Sequence, residues 1–250
     1  MPDAIFEEPR LAEIYDALDP VRTDLDAYVE LAHEQRARSV LDVGCGTGTL
    51  ACLLAQRGMD VTAVDPAAAS IGMARRKPWA DRVRWLVGDA TTLPPLPRVD
   101  LVTMTGNVAQ VFLTDEEWES SLNAVWTTLG PGCRLVFEVR DPAREDWRNW
   151  TRQRSFRRQA VPGIGVVENW VELTAVTPPC ISFRWNFVFA ADGAVLTSDS
   201  TLRFRGRDEI AASLEATGFA VEDVRDAPDR PGREFVFIAR RIERFAADGG

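Results

Sequence analysis

The spacing of apolar residues changes character along the chain, and each change predicts a different element. In residues 10–35, Leu11, Ile14, Tyr15 and Leu18, then Leu25, Tyr28, Val29 and Leu31, recur at helical spacing among charged positions. This predicts two helices broken near Asp19 and Pro20. From residue 40 the apolar residues come in short runs instead, at 40–43, 60–65, 83–89, 99–105 and 134–140, and these read as strands. Helical stretches fall between them: 47–57 stopped by Gly58, an alanine-rich stretch from Pro66 to about 77, and 115–129 with Thr114 as N-cap and Gly130 as stop. Five strands alternating with helices imply right-handed crossovers and a parallel sheet covered on both faces. From Asp141 to Phe204 the pattern shifts to strand-like runs near 165–176, 180–190 and 195–204. In the middle run Ile181, Phe183, Trp185, Phe187 and Phe189 share one face, and Asp192-Gly193 signals a tight turn. This stretch is expected to be an antiparallel insertion. A helix at 208–217 and strands at 220–224 and 234–240 then resume the scheme, the last two able to pair antiparallel at the sheet edge. Residues 246–250 are expected to be disordered.

The first strand runs into Gly44-Cys-Gly-Thr-Gly48, with glycines at alternate positions. Such a turn lets a ligand lie directly on backbone amides at the start of the next helix. The spacing is G-x-G-x-G, because position 49 is Thr, and so it departs from the G-x-G-x-x-G of dinucleotide sites. Asp42 stands two residues before the first glycine, where it would repel a pyrophosphate and attract an ammonium group. Ligands of parallel sheets bind at the carboxyl ends of the strands, which gathers the residues around 44, 65, 89 and 105 into one cleft.

Composition narrows the function. The 250 residues suit one domain or one domain with an insertion, and a net charge of -9 with a pI near 4.8 disfavours a nucleic-acid substrate. The N-terminus lacks the basic start and apolar run of a signal peptide, and no stretch of about 18 apolar residues is present. A cytoplasmic location is therefore expected. Cys45, Cys52, Cys133 and Cys180 form no C-x-x-C pair, and the single histidine, His33, falls late in a helix as a surface or capping residue. Neither a metal site nor a disulfide framework is expected.

These features together resemble the class I S-adenosylmethionine (SAM)-dependent methyltransferases. The resemblance rests on Leu41-Asp-Val-Gly-Cys-Gly-Thr-Gly48, on Val64-Asp65 at the second strand end, on Gly88-Asp89-Ala90 after the third, and on Asp100-Leu-Val-Thr-Met-Thr-Gly-Asn107. It implies an α/β, Rossmann-like doubly wound sheet of about seven strands with an antiparallel β insertion and an N-terminal helical cap. The cap would occupy 1–35, the cofactor-binding core 36–142 and 206–243, and the insertion, as a substrate-side lid, 143–205. It also implies roles. Gly44, with Asp42 nearby, would hold the methionine amino group, and Cys45 and Gly46 would line the approach. Asp65, followed by Pro66, would accept the ribose hydroxyls, Asp89 the adenine amino group, and the Ala90 amide would donate to the ring. Thr105, Gly106 and Asn107 would border the methyl-donor side, and Tyr15 and Arg22 would meet the cofactor carboxylate. Other readings stand beside these: a helix cap for Asp65, a solvated turn for Asp89, a loop-orienting role for Asp42 and helix packing for Tyr15.

Methyl transfer from a sulfonium needs positioning and water exclusion more than an acid–base pair, which suits a chain with one histidine. The insertion carries Trp150, Phe156, Trp170 and Trp185, whose rings could wall a flat acceptor or a cation. Arg184 and Asn186, on the opposite face from Phe183 and Phe187, are the candidate substrate contacts. Arg140, Arg144, Arg148 and Arg152 recur every fourth residue and, if helical, form one row, with a solvated face the plainer reading. The fourth strand end reads Thr-Gly-Asn-Val and lacks the Asn/Asp-Pro-Pro-aromatic motif of enzymes that methylate nucleic acids or protein glutamine. The carboxylate set of the magnesium-dependent catechol type is also missing. A small-molecule acceptor is therefore expected, methylated on O, N or C. The alternatives are a catalytically silent SAM-binding regulatory protein and an NAD(P)-dependent oxidoreductase.

Overall fold

A computed structural model describes residues 1–243 of the chain, so the expectation of disorder at 246–250 lies outside the described residues. Its strands and helices, in order, are α1 (Ala4–Glu7), α2 (Pro9–Leu18), α3 (Asp26–Glu34), β1 (Ser39–Val43), α4 (Thr49–Gln56), β2 (Asp60–Asp65), α5 (Ala68–Ala74), β3 (Val83–Val87) and β4 (Val99–Met104). There follow α6 (Asp115–Thr128), β5 (Leu129–Arg140), α7 (Arg152–Ser155), β6 (Arg157–Val161), β7 (Gly165–Thr177), β8 (Cys180–Phe189), β9 (Val195–Arg203), α8 (Arg207–Ala216), β10 (Phe219–Asp226) and β11 (Glu234–Arg241).

Seven strands form one sheet in the order β3-β2-β1-β4-β5-β11-β10. The first five run parallel, β11 pairs antiparallel with β5, and β10 pairs antiparallel with β11. This is the expected doubly wound sheet with its antiparallel edge. Successive residues of the central strands serve opposite faces, as the two-residue period of a strand demands. Val40, Leu101 and Val136 pack with α3 and α4, while Leu41, Val102 and Phe137 pack with Trp118 and Leu122 of α6 and Leu214 of α8. Burial on both faces explains why these strands read as unbroken apolar runs rather than alternations. Helix α6 begins at the expected cap, where Thr114 and Glu117 form a reciprocal capping box. Chain order reverses between β1 and β4, and the open end of that switch point faces the glycine turn.

The inserted sheet has four antiparallel strands, β6-β7-β8-β9, one more than the spacing suggests. Its extra strand, β6, begins with Arg157, Arg158 and Gln159 at an edge, where polar residues hide the alternation. Phe187 and Phe189 are buried against Ile5, Leu11 and Ile14, so the N-terminal helices seat on the insertion. The four arginines do not share one helix and form no single row. Arg140 ends β5 and reaches Glu234, Arg144 and Arg148 pair with Asp141 and Glu145 in short helical turns, and Arg152 lies over the Trp170 ring. Among the described residues no helix is long and apolar enough to cross a membrane.

Candidate functional site

At the end of β1 the chain turns sharply, because the amides of Gly44 and Cys45 both donate to the Val64 carbonyl of β2, at 2.8 and 3.1 Å. The three glycines serve different ends. A Cβ on Gly44 would collide with the Val108 side chain, whereas a Cβ on Gly46, at φ +52°, would meet nothing within 4 Å. Gly46 therefore opens onto free space, where a ligand can lie on bare backbone.

That space is a cavity of about 710 Å³, within the range of small-ligand sites. Gly44, Cys45 and Gly46 line it, as do Asp65 and Pro66, Asp89 and Ala90, Thr105 and Gly106, and Tyr15 and Arg22 from the N-terminal segment. The Asp65 carboxylate, 8% exposed, accepts from Gly46 N through Oδ2 and from Ala67 N through Oδ1, both at 2.8 Å. It thus ties β2 to the glycine turn, with lone pairs left on each oxygen for a further donor. Burial raises its pKa above the usual carboxylate range. Asp89 Oδ1 accepts from Thr91 N, Thr91 Oγ1 and Thr92 N, which shapes the turn after β3 and places the buried Ala90 in the wall. Arg22 is braced through Nε and Nη2 by Asp24, at 3.0 and 2.9 Å. Tyr15 packs on Phe6, with ring centroids 5.5 Å apart.

Behind the floor lies a buried carboxylate the sequence does not single out. Glu138 of β5 accepts the Gly106 amide on Oε1 at 2.6 Å and the Tyr28 hydroxyl on Oε2, and burial pushes its pKa up. It couples α3 to the loop that ends β4. Tyr28→Phe is expected to lower folding stability by about 1.5 kcal/mol, because a buried carboxylate loses one of its donors. Chemical denaturation of the two proteins checks this.

Four expected site residues lie outside the cavity wall. Asp42 is 1% exposed and accepts from Thr103 Oγ1 at 2.8 Å. Its Oδ2 is buried without a partner, and burial lifts its pKa to about 7. It sits behind the turn and reaches the cavity only through its field. Asn107 turns away at φ +64°, its amide 3.5 Å from Glu234 Oε1. Arg184 is held by Asp199 at 2.7 and 2.8 Å, and Asn186 donates to Glu172 at 3.2 Å, both on the solvent side of the inserted sheet. Neither residue of this expected substrate-contact pair lines the cavity, which is reached instead by Asp199, Ser200 and Thr201 of the next strand. The insertion's tryptophans are likewise packing residues, Trp150 on Phe183 and Phe204, Trp170 near Phe156, and Trp185 half-buried against the cluster that Ile5, Leu11 and Ile14 form with Phe187 and Phe189. The rings in the wall are Phe6, Tyr15 and Phe112. Residues 111–113 form an apolar run just past the strand-end motif, which is the one sequence signal that could have found them. Asp3, Phe6 and Ser200 carry no local signal.

Residues 40–132 match the family model of a methyltransferase domain. The chain is 31% identical over 143 residues to the cypemycin N-terminal methyltransferase of a Streptomyces species, covering 56% of this chain and 58% of that protein. It is 38% identical over 113 residues to the demethylmenaquinone methyltransferase of Thermus thermophilus, covering 43% and 50%. The chain thus spans about half the length of the curated relatives it matches. Among solved structures, the SAM-bound amino pentose methyltransferase CalS10 of Micromonospora echinaspora superposes with a TM-score of 0.67 at 25% identity, over 91% of this chain and 96% of that one. The sheet order and the glycine turn with its acidic strand ends agree with these likenesses: residues 40–132 are similar to a methyltransferase domain, and the fold as a whole is similar to that of solved SAM-dependent methyltransferases.

Proposed function

We propose that the protein transfers the methyl group of SAM to a small-molecule acceptor. The observation that carries this reading is the junction of Gly46, bare toward the cavity, with the Asp65 carboxylate that clasps its amide. The residues suit the cofactor. The turn at Gly44 and Gly46, with the Asp42 charge behind it, would hold the methionine ammonium, and Arg22 and Tyr15 its carboxylate. Asp65 has free lone pairs for two ribose hydroxyls, and Asp89 and the Ala90 amide suit the adenine edge. When bound, SAM supplies an electrophilic methyl carbon. The chain's own part is to fix the acceptor in line with it and to keep water out, with Thr105 and Gly106 as floor and the N-terminal segment and β9 as cover. In this reading residues 1–35 and 143–205 are the cap and lid of a core formed by 36–142 and 206–243. Placement in the cytoplasm follows as part of the same proposal.

Calorimetric titration tests it. SAM and S-adenosylhomocysteine (SAH) are expected to bind saturably and NADH not at all. Absence of binding by both sulfur compounds, or a preference for NADH, would overturn the proposal.

A further inference from the structure

The loop between β4 and α6 carries three apolar side chains into the cavity, Val111, Phe112 and Leu113. Val111 is 50% exposed and Leu113 37%, and with Phe112 between them they form one contiguous apolar run at the cavity. A loop can bury such side chains by a small rotation of its backbone. This one is prevented from doing so, because its polar atoms are taken from two sides.

On one side, Glu117 Oε2 accepts the amides of Leu113 and Thr114, at 2.9 and 3.0 Å. On the other, the guanidinium of Arg205 donates to the Phe112 carbonyl through Nη1 and to the Thr114 carbonyl through Nη2, both at 2.9 Å. Arg203 Nη1 donates to the carbonyl between them, that of Leu113, at 3.1 Å. Three successive carbonyls are thereby held by two arginines at the exit of β9. Arg205 is 3% exposed, and its burial lowers its pKa. Gln110 Nε2 closes the link by donating to the Arg203 carbonyl at 3.4 Å. A planar fork matches two carbonyls spaced by one residue in a way a lysine ammonium cannot. The same strand that ends in this clamp places Ser200 and Thr201 in the cavity wall.

We infer that residues 111–113, fixed by the Arg203–Arg205 clamp, form an acceptor-selecting wall, and that the acceptor presents an apolar hydrocarbon or aryl body to it. The inference rests on the methyltransferase reading for the word acceptor, but the wall itself is a property of the folded chain. Arg203 and Arg205 are positioning residues in this scheme, since they act through the loop. Covering Val111 and Leu113 removes apolar surface from water, which supplies the selectivity.

The test uses the full chain saturated with SAH, titrated with 2-naphthol as an apolar probe and with glucosamine as a polar one. Saturable binding of 2-naphthol and none of glucosamine is expected. Val111→Ser with Leu113→Ser, which alter only exposed side chains, should weaken 2-naphthol by about tenfold and leave SAH affinity unchanged. Arg205→Lys and Arg203→Gln should do the same at a temperature where each is fully folded, whereas a merely stabilising clamp would lower the unfolding temperature and leave the probe affinity alone. If Arg205→Lys does not fold, Arg203→Gln and the serine pair still decide. The inference is overturned if 2-naphthol fails to bind, if glucosamine binds in preference, or if the loop and clamp variants leave 2-naphthol affinity unmoved. Should SAH itself not bind, the cofactor reading fails separately, and the same 2-naphthol titrations on the free protein judge the wall.

Discussion

Asp65→Ala is expected to weaken SAM and SAH binding by about 100-fold, since two hydrogen bonds to a charged group are lost together with the orientation of the loop they share. The structure gives the reason for so large an effect from one side chain. Asp65 fixes the Gly46 amide and the Ala67 amide at once, each at 2.8 Å, so its removal frees the glycine turn as well as deleting the proposed ribose acceptor. Asp65→Asn separates the two contributions. The amide oxygen can keep one backbone donor, while its NH₂ cannot accept from a ribose hydroxyl, so an intermediate loss of about tenfold is expected. Calorimetry reads both variants, and circular dichroism confirms that each is folded. Equal affinity in wild type and Asp65→Ala would mean that the cavity binds its ligand elsewhere.

Asp42→Asn is expected to move two properties in opposite directions. Asp42 is fully buried, and desolvation lifts its pKa to about 7 in the folded protein. Below the ordinary carboxylate value both the folded and unfolded chains hold the proton, and the group's contribution to stability is fully present. As pH rises, the unfolded chain ionises first, and stability is lost until the folded group also ionises near pH 7. A shift of this size corresponds to about 4 kcal/mol across that window. Asparagine has no charge to bury and keeps a carbonyl for the Thr103 hydroxyl, so the variant's ligand-free stability should be nearly flat over the same window. It should exceed wild type by up to about 4 kcal/mol at pH 8 and approach it near pH 4. SAM affinity should fall about tenfold at pH 8, because the ammonium loses a negative neighbour in a low-dielectric site. Denaturation at several pH values and calorimetry read the two effects. A variant less stable than wild type at pH 8 would show that Asp42 has a cationic or donor partner beyond Thr103.

A site residue that costs stability at neutral pH and is kept in the ionising form fits a protein whose ligand completes the interaction. The unpartnered Asp42 Oδ2 agrees with that reading, as does the raised pKa of the neighbouring Asp65. Glu138, one layer deeper, shares the raised pKa but has a donor on each oxygen, from Gly106 and Tyr28.

Local pattern made much of the fold legible. The runs at Val40, Leu101 and Leu135 announce strands buried on both faces, because such strands need an apolar residue at nearly every position, while the run at Val83 forms the half-exposed edge strand. Thr114 and Glu117 announce the start of α6 three residues apart, since a capping box is a contact within one turn. The gathering of the strand-end residues around one cavity was legible for the same reason. Gly46, Asp65, Asp89 and Thr105 each stand at a strand end, and the parallel sheet puts those ends side by side. Asn107 belonged to the same motif and still left the wall, because two consecutive left-handed residues, Gly106 and Asn107, swing its side chain toward Glu234.

The sequence by itself determined the alternation of strands and helices, the glycine turn and the carboxylates at the strand ends, all features whose physics is contained within a few residues. Only the tertiary structure decided what covers them. The amide of Ile5 donates to Ser198 Oγ across 193 positions, which sets the N-terminal segment against β9, and Arg205 reaches back 93 residues to the Phe112 carbonyl. Periodicity states that a face will be buried but carries nothing about its partner. Arg184 and Ser200 lie on neighbouring strands of one sheet, yet only Ser200 lines the cavity, because that depends on how the inserted sheet packs over the core.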